Sequence, residues 1–289
     1  MPGNCGLLLF SIIGGRKQFM TNNIQFDFGQ NWDEFSKHSL TPEKVQQAVL
    51  NFSALVDGID LENKSFIDIG FGQGLGLLTA TQLKGKTVGC DINPKCGNVL
   101  DQNKKFFPGI EQAKIPVIIG SILDESVIKK IRDQSPDKNG DYTIVHSWGV
   151  LHHTGKMWEA ITNAANLVND KGIFIIAIYN RHWSSLMWKF IKWVYNISPR
   201  FIKWVIINFF YVVIAIAKFF VTGKNPFKTK RGMNFYYDVI DWVGGYPYEY
   251  ASRDEIKNFV EKKGYKMIKF NKARVPTGCN EFIFKKTLK

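Results

Sequence analysis

The sequence predicts an α/β domain: a doubly wound sheet of seven mostly parallel strands, with a helical insertion between strands 5 and 6. Three observations predict it. From Ser65 onward, short apolar runs alternate with helical patterns, the order that builds a sheet covered by helices on both faces. The runs are nearly unbroken, as in GIFIIAIY, which suits strands buried on both sides. After the fifth run the alternation stops, and a stretch of different charge and hydropathy follows. A chain of 289 residues has room for one large domain carrying such an insertion.

Residues 1–63 are expected to form an N-terminal extension and cofactor-covering helices. The opening MPGNCGLLLFSIIGGRK has a short apolar run with no basic residue before it and no small-residue cleavage site. A secretory signal is therefore not expected, and Pro2 stands where myristoylation needs glycine. This stretch reads as a poorly ordered extension, with Met20 as an alternative start. FDFGQNWDEFSK follows, and Thr41 then opens a helix as N-cap, with Pro42 at the first helical position. In the core, 64–180, the strands are SFIDIG, KTVGCD, PVIIG, YTIVHS and GIFIIAIY. Helices are read at LGLLTATQLK, from Asn93, around SVIKKIRD and at MWEAITNAANLV. Residues 181–250 are the insertion and a loop beyond it. Residues 251–289 complete the core: a helix from the N-cap Ser252 to the stop at Gly264, then strands YKMIKF and NEFIFKK.

Composition excludes several classes. With 45% hydrophobic residues the chain is not intrinsically disordered. Cys5, Cys90, Cys96 and Cys279 are too scattered for a disulfide framework or for a zinc or iron–sulfur site. A reducing compartment, the cytoplasm, is expected. The net charge of +13 is unevenly placed. No acidic residue lies between Asp170 and Asp238, whereas Arg181 to Arg231 holds ten basic residues and four of the eight tryptophans. The rest of the chain is close to neutral, so the charge is a property of the insertion.

Strand 1 runs into Asp68-Ile-Gly70-Phe-Gly72-Gln-Gly74, and a helix follows at once. Glycines there let backbone approach a ligand closely, and a helix N-terminus favours negative charge. Asp91 ends strand 2 about twenty residues on, where an acid can bind ribose hydroxyls. A dinucleotide fingerprint would put its third glycine at Leu75; here the spacing is GxGxG, with an acid two residues before it. This resembles motif I of class I S-adenosylmethionine-dependent methyltransferases. YTIVHSWGVLHHTGKMWEAI is similar to the strand-4 segment of the small-molecule members, and the end from Ser252 to their last helix and strand pair. DWVGGYPYE and GCNEF resemble segments of a narrower bacterial subgroup. The resemblance implies a Rossmann-like methyltransferase fold and S-adenosyl-L-methionine as cofactor. It places Asp68, Gly70, Gly72 and Gly74 along the methionine and ribose, Asp91 on the ribose hydroxyls and Ile92 on adenine. Ser121 and Ile122 would edge the adenine pocket, with Ser121 standing where many members have Asp.

Methyl transfer is an in-line displacement governed by positioning, and it requires no metal. An oxygen nucleophile also benefits from a base working near neutral pH, the range of histidine. His152 and His153 follow strand 4 at the sheet edge where open α/β sheets place their sites. They are the candidate catalytic residues; the alternative is that they orient the loop or cap the next helix. Tyr179 at the end of strand 5, and Asp238, Asp241, Trp242, Tyr246 and Glu249 in a loop before the last helix, are candidates for the acceptor wall. Pairing with the insertion's bases, or plain packing, is the alternative for these. Trp32 and Phe35 are candidates to cover the cofactor, or to pack on the sheet.

The insertion reads as an amphipathic helix from Trp183 to Ile197, a break at Pro199, and an apolar helix from Phe201 to Val221. Its fourteen uncharged residues from Trp204 to Ala217 span about 21 Å at roughly 1.5 Å each, short of the ~30 Å hydrocarbon core. Two readings stay open: helices lying on an anionic membrane surface through 181–231, or a lid or homodimer contact over the acceptor. The absence of acids favours the membrane. The expected function is methylation, at oxygen, of a small or lipid-like acceptor by a cytoplasmic, membrane-peripheral enzyme. Strand 4 lacks an Asn/Asp-Pro-Pro-aromatic tetrad, which disfavours nucleic acid. An RNA methyltransferase using the basic insertion, and a non-catalytic cofactor-binding module, are the alternatives.

Overall fold

The structure is a computed structural model that describes Phe26 and residues 40–223 and 235–287. The expectations for Met20, Trp32 and Phe35, and for the insertion's Lys224, Lys228, Lys230 and Arg231, lie outside the described residues. Helix α1 (Pro42–Leu55) opens as the sequence predicts, with the Thr41 hydroxyl accepting the Lys44 N–H at 3.5 Å. Alternation then runs β1 (Ser65–Ile69), α2 (Leu75–Gln82), β2 (Lys86–Asp91), α3 (Lys95–Asn103), β3 (Val117–Ile119) and α4 (Glu125–Asp133). It continues through β4 (Tyr142–Trp148), α5 (Met157–Ala165) and β5 (Val168–Tyr179). The insertion supplies α6 (Ser185–Ile197), α7 (Arg200–Thr222) and α8 (Phe235–Gly244). Helix α9 (Arg253–Glu261) and strands β6 (Tyr265–Asn271) and β7 (Cys279–Lys286) close the fold.

The strand order is β3-β2-β1-β4-β5-β7-β6, with β7 antiparallel to both its neighbours and the other pairings parallel. Because side chains alternate along a strand, the sheet divides its residues between two cores. Phe66, Ile144, Ile175 and Ile283 face α1, α2 and α3, where Phe52, Leu77 and Leu100 meet them. Ile67, Val145, Phe174, Ile176 and Phe282 face α4, α5 and α9, through Ile131, Ile161 and Val260. A third, separate core lies in the insertion: Tyr195 of α6, Ile207 of α7, and Phe235, Val239 and Val243 of α8.

The insertion is tied off at a neck. Asn180 bridges Ala251, the Arg181 N–H donates to the Ala251 carbonyl at 3.1 Å, and the Ala251 N–H donates to the Tyr179 carbonyl at 3.0 Å. Arg181 itself makes two bonds to the Glu255 carboxylate, 3.0 and 2.7 Å. It therefore serves the neck and is no part of a free basic surface.

Two expectations are corrected. The segment holding Asp238, Asp241 and Trp242 is helix α8, not a loop. Its apolar residues Phe235, Val239 and Val243 recur at i, i+4, i+8 and are buried, the helical period, and the Gly244-Gly245 pair ends it. Helix α7 forms where the sequence places the apolar helix from Phe201 to Val221, and what is corrected is the length drawn from its uncharged stretch alone. Its 23 residues make about 34 Å at roughly 1.5 Å each.

Candidate active site

The glycine loop between β1 and α2 is shaped by three left-handed residues, Gly70 (φ 75°), Gly72 (φ 55°) and Gly74 (φ 77°). Side-chain-bearing residues are strained there, and a Cβ on Gly70 or Gly74 would also strike Val150 or Leu100 at 2.4 and 2.2 Å. Gly74 is the N-cap of α2, so the loop delivers the chain to a helix N-terminus. Asp91, at the end of β2, accepts the Gly72 N–H on Oδ2 and the Asn93 N–H on Oδ1, both at 2.9 Å. Burial raises its pKa, and those two backbone bonds oppose the shift. The Asn103 amide holds the loop from α3 by donating to the Gln73 carbonyl at 3.0 Å. Gln73 Oε1 is buried with no hydrogen-bond partner among the described residues.

Asp68 sits beneath this loop, not on its surface. It is 3% exposed, and its Oδ1 lies 2.7 Å from His146 Nδ1. The two residues are register partners on the parallel strands β1 and β4. His146 is flanked by Phe66, stacked at 5.8 Å, and Phe52, edge-on at 5.5 Å. Ile92 is 53% exposed at the rim of the loop. Ser121 Oγ accepts the Leu123 N–H at 3.2 Å. The Ile122 side chain packs in the core beneath α5, so whatever edge it offers is backbone, and its carbonyl already takes the Asn163 amide at 3.0 Å.

A second cluster lies past the C-terminal ends of β4 and β5. His152 and His153 occupy one turn of 3₁₀ helix, Leu151–His153, and Tyr179 packs on both, with centroids 4.0 and 5.4 Å away. The His153 Nδ1–H donates to the Pro247 carbonyl at 2.7 Å. Neither ring nitrogen of His152 has a well-aligned partner among the described residues, although the Ala177 carbonyl lies close enough to counter part of its desolvation. Burial, then Lys192, pushes His153 down to about 3. Burial, then the charges of His153 and Lys192, holds His152 well below the ordinary imidazole value. An ordinary histidine pKa was the premise for reading either residue as a base near neutrality, and burial removes it.

Lys192 is the residue that sequence reasoning missed. Its place in an amphipathic helix suggested a solvated or lipid-facing base; instead it is 0% exposed. Its ammonium donates to the Trp242 carbonyl and lies over the Trp242, Tyr248 and Tyr179 rings at 4.4, 4.9 and 5.9 Å. Burial lowers its pKa to about 7, with Asp241 and Cys279 opposing the shift. Tyr248 is also fully buried, and its hydroxyl has no well-aligned partner among the described residues, with Ser185 the hydroxyl beside it. The only hint in the sequence was the phase of α6: Lys192 lies three residues before the buried Tyr195, on its inner face.

Of the other predicted acceptor residues, Tyr179 and Trp242 belong to this cluster, 5.6 Å apart and edge-on. Asp241 is half-buried beside Lys192, and Asp238 is half-buried one helical turn earlier on α8. Tyr246 takes the Phe26 N–H on its carbonyl at 3.0 Å. Glu249 is engaged in support: its carboxylate accepts the Met157 N–H at 3.0 Å at the start of α5, and its own N–H donates to the His152 carbonyl at 3.0 Å.

A family model described as a methyltransferase domain matches residues 38–269. The chain belongs to that family. It is a class I S-adenosylmethionine-dependent methyltransferase. The fold is similar to that of the magnesium protoporphyrin IX methyltransferase of Synechocystis with bound SAH, at TM-score 0.50 and 13% identity, over 91% of this chain and 89% of that one. A SAM-dependent methyltransferase from Anabaena variabilis matches at TM-score 0.51 and 12% identity, over 91% and 97%. An O-methyltransferase family protein from Burkholderia thailandensis matches at 0.53 and 12%, over 89% of this chain and 59% of that one. Identities this low carry the fold and nothing finer. No curated protein matches by sequence.

The methyltransferase's glycine loop fits its cofactor. The unpartnered Gln73 Oε1 is an acceptor suited to the ammonium of the methionine part. The Asp91 oxygens, each already holding one N–H, retain lone pairs for ribose hydroxyls. Ile92 offers an exposed apolar face for adenine. When bound, S-adenosyl-L-methionine supplies an electrophilic sulfonium methyl. Val150, whose side chain occupies the space a Cβ on Gly70 would need, stands two residues before His152 and so brings the loop close to the second cluster.

Proposed function

We propose that the methyltransferase methylates an oxygen atom of a small or lipid-like acceptor, held between the glycine loop and the Lys192 cluster. The observation that carries the reading is Lys192: a fully buried amine among aromatic rings, with a pKa lowered to about 7. A hydroxyl loses its proton as it attacks, and the best acceptor for that proton has a pKa near the working pH. Neutral Lys192 meets that requirement; the two histidines, held neutral, are left to position the hydroxyl. His152 and Tyr248 add polar atoms that are buried without a well-aligned partner among the described residues, an arrangement expected where a ligand completes the hydrogen bonding. The aromatic walls Tyr179, Trp242 and Tyr248 suit an acceptor with an apolar body. Lys192 and His152 are both 0% exposed, so in this reading α6 and α8 give way as the acceptor enters. Two structural relatives carry O-methyltransferase in their names, but the oxygen assignment rests on the proton chemistry.

The test is transfer of radiolabelled methyl into a lysate of cells lacking the protein, followed by extraction into lipid, small-molecule and RNA fractions. Label is expected in the lipid or small-molecule fraction, and Lys192→Met is expected to lower its rate at least about a hundredfold, the usual scale for losing a general base. Label in RNA, or full activity of Lys192→Met, would overturn the reading.

A further inference from the structure

Helices α6 and α7 turn their inner faces to the insertion core and leave continuous apolar stripes outside. On α6 the stripe is Leu186, Phe190, Trp193 and Ile197, at the i, i+4, i+7, i+11 spacing of one helix face. On α7 it runs from Phe201 through Phe209 to Phe220, 70%, 61% and 79% exposed. From Arg200 to Ala217 only 6% of residues are buried, at a mean hydropathy of 1.8. A solvated surface of this kind loses about 25 cal/mol for each Å² of apolar area kept in water, and patches this long mark an interaction face.

Charge decides what covers it. Arg181 is paired with Glu255 and Lys192 is buried, which takes two of the insertion's bases out of its free positive charge. Lys189 and Arg200 remain exposed along the stripe, and Lys203 reaches over the Tyr195 ring at 5.5 Å. The stretch from Asp170 to Asp238 supplies no carboxylate between them, and Glu249, from beyond it, is close enough to feel Lys189. A second copy of this chain would set the same positive charges against each other across a two-fold contact, whereas anionic lipid headgroups would complement them. Trp183 and Trp204, 83% and 60% exposed, are of the type that favours the boundary between headgroup and hydrocarbon.

Length no longer forbids α7 from crossing a bilayer, but topology does. Tyr211, midway along α7, packs on Phe235 of α8 at 5.0 Å. Beyond α8 the chain returns to Ala251, beside Tyr179, and then to β7, which pairs with β5. We infer that the outer faces of α6 and α7 seat this methyltransferase on an anionic lipid bilayer, with both helices lying in the interface. The inference stands on the stripes and their charge, and it is independent of which atom is methylated.

Flotation of the full chain tests it, using vesicles of phosphatidylcholine alone and of phosphatidylcholine mixed with phosphatidylglycerol. The chain should float with the mixed vesicles. A Phe190→Glu/Trp204→Glu/Phe209→Glu variant should float at least about tenfold less; its substitutions are on exposed positions, and circular dichroism verifies that it folds. Lys189→Glu/Arg200→Glu should lose the preference for the anionic vesicles. A wild-type chain that stays in the bottom fraction would overturn the inference, as would a triple variant that floats equally well. A lipid-free dimer that the triple variant converts to monomer, without flotation of either, would assign the face to a second copy instead.

Discussion

Lys192 and His153 sit in the same buried cluster and respond to burial in the same direction, but with different consequences near neutral pH. His153, lowered to about 3, stays neutral across the physiological range. An inflection of the pH–rate profile near 7 should therefore belong to Lys192 and persist in His153→Gln; an inflection that disappears with His153 would contradict the buried geometry. Lys192 titrates near 7 when folded and near 10.5 when unfolded. Between those values the unfolded chain binds more protons, so stability rises with pH through this window, and the burial penalty is complete below it. Denaturant titrations should show wild type gaining on Lys192→Met as pH rises from 7 toward 10. A gap that stays constant would place Lys192 in a more polar setting.

The pair beneath the glycine loop makes a further prediction at this scale. Asp68 and His146 are 3% and 4% exposed and bonded to each other. His146→Ala leaves a carboxylate buried without its partner and should cost about 3 kcal/mol in urea unfolding. On the loop itself, Asp91→Ala removes the acceptor of both the Gly72 and Asn93 N–H groups. Calorimetry should then find S-adenosylmethionine binding weakened at least about a hundredfold, the loss of two charge-assisted bonds.

At the scale of elements, local signals predicted most of what formed. Thr41 and Pro42 start α1, and Ser252 starts α9 with a capping box in which Glu255 returns the bond. Ser252→Ala should cost about 1 kcal/mol in the same unfolding assay; it removes only the acceptor of the Glu255 N–H, and the Glu255 carboxylate keeps the backbone N–H of residue 252 and Arg181. The strands fell where the apolar runs lay because buried parallel strands need such runs. Helix α8 escaped notice because its glycine pair and aromatic content resemble loop chemistry, and its helical period shows only against partners on α6 and α7. Glu249 was legible as a polar residue near the site, but not as the group that bonds the start of α5. The Met157 N–H it serves lies 92 residues away, and no local pattern announces such a bond.

For the whole molecule, the neck at Tyr179–Arg181 and Ala251 makes the insertion a separate lobe with its own core. Replacing residues 183–245 with a short glycine–serine linker should leave a folded sheet that still binds S-adenosylmethionine, since Asp91, Ile92 and the glycine loop lie outside the lobe. Methyl transfer should be lost, because Lys192 and Trp242 go with it. Loss of cofactor binding in that variant would mean that the two parts fold as one unit.

The amino-acid sequence by itself determined the alternation of strands and helices, the glycine loop with Asp91 behind it, and the site of the insertion. Each depends on residues close together in the chain: a period, a turn residue, a cap, or a change in composition. Tertiary structure decided which of those residues are buried and what they touch. Lys192 reaches the Trp242 carbonyl across 50 residues, and His146 reaches Asp68 across 78. Burial is what moves a proton affinity or leaves a charge needing a partner. It arises only when distant segments close around a side chain.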